Sequence, residues 1–439
     1  MIRKVGVNRP PDFFMTADQT TRRNQNFEKQ NMPTTQRKGV AVSVAAAALG
    51  YFVDLYDIVL FGVVRVASLT DIGITGDELT SKGILLLNLQ MIGMLIGGVG
   101  WGIIGDKIGR RFALIATIAM YSLANIANGF VNDMTSYAIL RFIAGVGLAG
   151  ELGTGVTLVA EILPKQYRGY GTTVISFLGL VGALTASYIG GSFVWRTAYF
   201  IGGGMGLVVL LGRIISLRES EMFQAQKQTA HTRGDVMLIL RSKKTLLKYL
   251  AVTAIGVPIW YVSGIIVTFS PEFGKALNLT RAITAAETLR WQAIGLAIGS
   301  ALSGLISEMI KNRKNVIWSC FILMAILIVA LLIVPQINPA FFMAVIFVIG
   351  LGQGYWTVFI TMAAEQFGTN IRATVTTSVP NFVRAMVVPM TIILNGIRHP
   401  LGLINSTMLI GGIVFALAFL SLYATKETYG RDIDFVEAG

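Results

Sequence analysis

Apolar runs of about 20 residues recur along most of this chain, and that recurrence limits what it can fold into. Each run is long enough to cross the ~30 Å hydrocarbon core of a bilayer as a helix. They fall at 39–66, 83–104, 113–131, 137–162, 171–192 and 197–216, and after a polar gap at 247–269, 283–307, 316–334, 339–363, 376–396 and 403–424. These are taken as spans 1 to 12. The eighth is the least regular, with Glu287 and Arg290 at its start. Only 13% of the residues are charged, about half the ~25% of soluble domains, and the mean hydropathy is +0.66.

A net charge of +13 invites a nucleic-acid reading, so its distribution decides. With both termini on one side, the segments 1–38, 105–112, 163–170, 213–248, 311–315, 364–375 and 425–439 hold 27 of the 36 Lys and Arg. That asymmetry is the positive-inside pattern. The basic balance therefore reports cytoplasmic termini and contact with anionic lipid, and no nucleic-acid partner is expected. The single cysteine, Cys320, excludes an intrachain disulfide, and the two histidines, His231 and His399, are too far apart to suggest a metal site. Residues 1–38 lack the apolar stretch of a signal peptide and read as a polar cytoplasmic tail.

The halves repeat. Glu161, Arg168 and Thr172-Thr173 have counterparts Glu365, Arg372 and Thr376-Thr377, all 204 residues on. GIIGDKIGRR (Gly102 to Arg111) at the end of span 2 is matched by GLISEMIKNRK (Gly304 to Lys314) at the end of span 8. A duplication of six-span halves is the design of secondary transporters, with the solute site between halves near the midplane. The expected organisation is a tail at 1–38, bundles at 39–216 and 247–424, a cytoplasmic linker at 217–246 and a C-terminal tail at 425–439.

GIIGDKIGRR, with Gly102, Asp106, Lys107, Gly109, Arg110 and Arg111, closely resembles the loop 2–3 signature of the major facilitator superfamily. RFIAGVGLAGE in span 4 resembles that family's R-x-x-x-G-x-G pattern, and AEILPKQYRG its loop 4–5 signature. LRESEMF and KETYGRD resemble the elements after spans 6 and 12 of sugar and metabolite porters. The resemblance implies an all-α membrane protein of twelve transmembrane helices in two pseudo-symmetric six-helix bundles, working by alternating access. It also implies a cytoplasmic latch made by Gly102, Asp106, Gly109, Arg110, Arg111, Glu161 and Arg168, with Glu308, Arg313, Glu365 and Arg372 as a degenerate second copy.

Ionisable residues inside a membrane cost ~2.5–3.5 kcal/mol each and so point to function. Span 1 carries Asp54 and Asp57 on one helix face, continuing a stripe from Tyr51. Span 4 carries Arg141 and Glu151, and span 11 carries Arg384. Span midpoints place Asp54, Glu151 and Arg384 at one depth, with Asp57 a turn outward and Arg141 nearer the outer face. Two acids of the first half are thus expected to face one arginine of the second. Two close carboxylates in low dielectric do not both ionise readily, so the group can carry a proton. Arg384 offers a planar fork for carboxylate or phosphate. The expected function is proton-coupled uptake of a small organic anion. The alternatives are a phosphate or sugar symporter, an efflux antiporter and, more remotely, a non-transporting solute sensor. The D-L-Y-D of span 1 resembles the D-x-x-D of aromatic-acid and phosphate proton symporters, and GLAGELGTG the G-G-E element of metabolite porters. Gln353, Tyr355, Trp260 and Tyr261 lie at depths suited to lining the cavity, although ordinary helix packing or an interfacial aromatic belt is the simpler reading of them.

GWGIIG (Gly100 to Gly105) fits a dinucleotide pattern, but no strand precedes it and it ends a span. No nucleotide-binding P-loop and no nucleophile–base set occurs, so neither an ATP-driven pump nor an enzyme is expected. The proton is the expected coupling ion, with no other cofactor and no metal. A monomer in a bacterial inner membrane is expected.

Overall fold

The computed structural model describes residues 34–163, 168–216, 242–334, 336, 338–368 and 371–430, and helices make up nearly all of it. The first half contains α1 (Thr34–Asp71), α2 (Asp77–Lys107), α3 (Arg110–Asn128), α4 (Met134–Leu148), α5 (Glu151–Ile162), α6 (Arg168–Ser192) and α7 (Trp195–Ser216). The second contains α8 (Lys243–Tyr261), a π-helical turn (Val262–Val267), α9 (Ser270–Ala276), α10 (Ala285–Ile310), α11 (Arg313–Ile333), α12 (Pro339–Gln353), α13 (Trp356–Gln366), α14 (Arg372–Ala385) and α15 (Val387–Ala424). Ten stretches are long and apolar enough to cross a membrane. One of them, Thr374–Ala424, breaks at Gly402 (φ 77°) into two crossings, and α3 supplies a twelfth among the described residues. Large apolar side chains such as Leu123, Val208, Ile215 and Leu420 are exposed on the outside of the bundle, as lipid contact requires.

The helix starts are written locally. The side chains of Asp133, Ser242, Asn312 and Asn338 each accept a backbone N–H of the first turn they precede, at spans 4, 7, 9 and 10. Thr284 and Glu287 form a reciprocal capping box at the start of span 8. The charge that made this span look irregular is thereby explained: Glu287 caps the helix and pairs with Arg281 at 3.1 Å.

The duplication is visible in the packing. Span 1 lies against span 5, 2 against 4 and 3 against 6, and in the second half 7 lies against 11, 8 against 10 and 9 against 12. Spans 2 and 4 approach so closely that a side chain at Gly93 or Gly97 would strike the backbone of Phe142 or Val146. The same holds for Gly295 and Gly299 against Phe347 and Leu351. Spans 4 and 10 each break at their repeated position, Gly150 and Gly354. The halves meet through span 5 against span 8 and span 2 against span 11. At the face opposite the termini, Arg65 pairs with Glu272, and Arg398 donates to Ser81 and to the Asp77 carbonyl. That face is closed.

Candidate functional site

Tyr51, Asp54 and Asp57 all lie on the buried side of α1. Gly179 on α6 leaves room for Tyr51, where a methyl group would crowd its ring. Asp54 is fully buried, and neither of its carboxylate oxygens has a hydrogen-bond partner among the described residues. A dry, unpartnered carboxylate is costly. The cation within electrostatic reach from the other half is Arg384, which also hydrogen-bonds Tyr51 and lies over the Trp260 ring, 5.8 Å from its centroid. Its Nε has no hydrogen-bond partner among the described residues. Span 1, span 7 and span 11 thus bring an acid, an aromatic face and a guanidinium to the contact between halves.

Asp57, one turn on, faces Arg141 of span 4 at 3.4 Å, and both are fully buried. Arg141 also lies 4.9 Å from the Phe61 ring centroid and 5.8 Å from that of Tyr199. Arg384 therefore does not take both aspartates: Asp57 has its own cation inside the first half.

Glu151 is placed differently from the expectation that it faces Arg384. Arg213 on α7 holds it through two hydrogen bonds of 2.8 Å, and Thr117 donates to it at 2.7 Å. Arg213 also donates to the carbonyls of Ala46 and Leu114, so the pair closes spans 1, 3, 4 and 6 of the first half around itself. The approach is possible because residue 50 is glycine, since a Cβ there would collide with the Arg213 guanidinium. By sequence Arg213 belongs to the cytoplasmic margin of span 6, yet it is fully buried.

The second half offers polar groups that satisfy one another. Gln353 donates to the Ile259 carbonyl and to Ser263 and accepts from Gln292. Tyr355 donates to the Ile255 carbonyl and Tyr261 to the Thr407 carbonyl. These three are bonded within their own half and are not brought to Arg384. Sequence reasoning missed Arg65, whose signal was its place on the stripe of Asp54, Asp57 and Phe61, 11 residues past Asp54. Asn88 of span 2 likewise accepts from Thr391 across the halves at 2.6 Å.

At the face of the termini, the side chains of Asp106, Glu161, Arg168 and Arg372 lie outside the described residues. Gly109 has φ 134°, a backbone that excludes other residues, and it turns the chain from α2 into α3. Gly102 has open space around it. Arg111 donates to the Ile214 carbonyl at the end of α7, and Arg110 lies against Gly105. In the second half Arg313 binds Glu365 through two bonds of 2.7 and 2.8 Å and Glu308 at 3.3 Å. Glu427 accepts from the backbone N–H groups of Arg313, Lys314, Thr428 and Tyr429. Burial pushes its carboxyl up, but those four donors hold it below its ordinary value.

Twelve crossings among the described residues, in two repeated halves with charged groups buried where the halves meet, define a multi-pass membrane protein, and its likeness to transporters makes it one that moves a small molecule and is not an enzyme. Residues 47–385 match the Major Facilitator Superfamily, and the chain belongs to that family. A Haemophilus influenzae protein named for metabolite transport is 27% identical over 370 residues, covering 78% of this chain and 86% of that one. The benzoate transport protein of Acinetobacter baylyi is 29% identical over 188 residues, 41% of this chain and 39% of its own. In structure the chain is similar to the D-xylose-proton symporter, with a TM-score of 0.70 at 17% identity over 89% of this chain and 99% of that one.

Proposed function

We propose that this chain carries a small organic anion, of the carboxylate class, into the cell together with a proton. The observation that carries the reading is the meeting of Arg384 and unpartnered Asp54 at the contact between halves. In the empty site the carboxylate of Asp54 balances Arg384. An arriving anion takes the guanidinium fork, and Asp54, left without its cation in low dielectric, binds a proton. The loaded site is then neutral and the halves can rock past each other. Asp57 and Arg141 hold the adjoining charge in the first half. Glu151, already saturated by Arg213 and Thr117, has a structural role. The benzoate relative supports a carboxylate.

The closed face is the external one, both termini are cytoplasmic, and the protein works as a monomer in a bacterial inner membrane with the proton as its coupling ion. The latch of the opposite state is formed by Asp106, Arg110, Arg111, Glu161 and Arg168, with Glu308, Arg313, Glu365 and Arg372 as its second-half counterpart. The test is a thermal-shift screen of carboxylates, phosphate and sugars at two pH values, followed by flux in proteoliposomes. A carboxylate stabilises the protein, Arg384→Ala abolishes both binding and flux, and Asp54→Asn keeps substrate exchange but loses acceleration by a proton gradient. Stabilisation by sugars alone, unchanged in Arg384→Ala, sinks this site chemistry.

A further inference from the structure

A second cation sits between the halves, some 16 Å along α1 from Asp54 at 1.5 Å per residue. Arg65 is fully buried at the closed face, pinned by span 2, where Gly83 leaves room for its chain, and by the Phe269 ring, whose centroid is 4.4 Å away. Glu272 of α9 holds it in an unusual manner. Both carboxylate oxygens, at 2.6 and 2.8 Å, engage the single nitrogen Nη2, which also reaches the Thr268 carbonyl at 3.4 Å. Nε and Nη1 are buried with no partner among the described residues. Arginine binds carboxylates best through two parallel N–H groups, so Glu272 leaves the stronger mode unused. The guanidinium remains under-satisfied in a dry site, and its present partner belongs to the half that must move away when this face opens.

We propose that Arg65 is a second anion-binding position, an outer station for a small carboxylate that takes its unused fork and displaces Glu272. The Phe269 ring supplies an apolar wall for the body of such a ligand. Glu272 is then a tethered stand-in for the solute: it covers Arg65 while the face is closed and is released when a free carboxylate replaces it. The ligand class rests on the carboxylate reading of the central site, whereas the geometry of Arg65 does not.

The experiment removes both the stand-in and the central cation. In the full-length Glu272→Gln/Arg384→Gln protein, millimolar benzoate is expected to raise the melting temperature by several degrees. Adding Arg65→Gln is expected to abolish that shift. A shift that survives Arg65→Gln, or no shift in the double variant, overturns the proposal. Benzoate failing to bind Arg384 in the otherwise unaltered protein would count against the central reading alone. A second measurement guards against a poorly folded variant. Spin labels at Thr70→Cys and Lys275→Cys, both exposed, in a Cys320→Ser background report the separation of α1 and α9. Glu272→Gln alone is expected to add a longer-distance population, and benzoate to increase it. A distance unchanged from that with native Glu272 also overturns the proposal.

Discussion

The two halves share a fold and differ in what they bury. Shifted by the repeat of 204 residues, Asp54 falls on Pro258, Asp57 on Tyr261, Arg141 on Val345, Glu151 on Tyr355 and Arg213 on Leu417. Every buried ionic group of this set is replaced in the second half by an apolar or aromatic residue or proline. In the other direction, Arg384 falls on Leu180. The first half therefore keeps acids and their cations in its interior, and the second brings Arg384 to the middle of the contact between them. A duplicated scaffold permits this because the close glycine contacts of spans 2 with 4 and 8 with 10 fix the backbone alike in both halves, whatever the polar residues do. Tyr261 and Tyr355 of the second half close on backbone carbonyls of their own bundle, so at the positions matching Asp57 and Glu151 neutral hydrogen bonds stand where the first half has ion pairs.

The sharpest way to break the comparison is to treat paired positions alike. Arg213→Ala strands Glu151 in a dry interior, and removing one partner of a buried pair costs ~3–5 kcal/mol. Its counterpart Leu417 is exposed on the bundle surface, where substitution changes stability by about 0.5 kcal/mol or less. Melting of the two alanine variants in one detergent measures the difference. Equal losses would mean that the Glu151–Arg213 pair does not hold the first half together.

Within span 1 a smaller effect separates two aspartates three residues apart. Asp57→Asn removes the charged partner of Arg141, and a hydrogen bond to a charged group is worth ~1.5–3 kcal/mol. Asp54 has no hydrogen-bond partner among the described residues and meets Arg384 by charge alone, so Asp54→Asn removes a dry carboxylate without breaking a hydrogen bond and is expected to cost less than Asp57→Asn. Denaturation midpoints of the two variants settle the order. A larger loss at Asp54 than at Asp57 would show that Asp54 is held by Arg384 as a permanent pair and is not the group that exchanges a proton.

Most of the scaffold was legible because its signals are local. Apolar length marks the spans, and Asp133, Asn312 and Asn338 mark starts by their own chemistry. Intramembrane charge marked Asp54, Asp57, Arg141 and Arg384 as candidates, but pairing depends on how helices rotate, which depth along a span does not encode. Glu151 has the depth of Arg384 and still turns to Arg213, because span 6 ends beside it and Gly50 clears the way. Arg65 and Glu272 are 207 residues apart, and only the closed arrangement of the halves makes them partners. Arg65 and Arg213 both lie near the ends of apolar runs, where a basic residue reads as a span margin and not as a buried group.

The smallest predicted difference lies at the start of the repeated spans 4 and 10. Span 4 is capped by Asp133, which accepts the Ser136 N–H at 2.9 Å and the Ser136 hydroxyl at 2.7 Å. Span 10 is capped by Asn338, which accepts the Ala340 N–H at 2.8 Å and has no charge to lose. The Ser136 N–H, then its hydroxyl, hold the Asp133 carboxyl below its ordinary value. A carboxyl depressed on folding stabilises fully above its unfolded value, about pH 4, and loses that contribution as pH falls through its lower folded value. Amide exchange in the peptide around Ser136, corrected for intrinsic rates, should therefore quicken below about pH 4, while the peptide around Ala340 should not. Asp133→Asn should remove the pH dependence, because an amide caps without titrating. If both peptides loosen together on acidification, the two halves respond as one body, and the contrast between the charged interior of the first half and the neutral interior of the second does not extend to these helix starts.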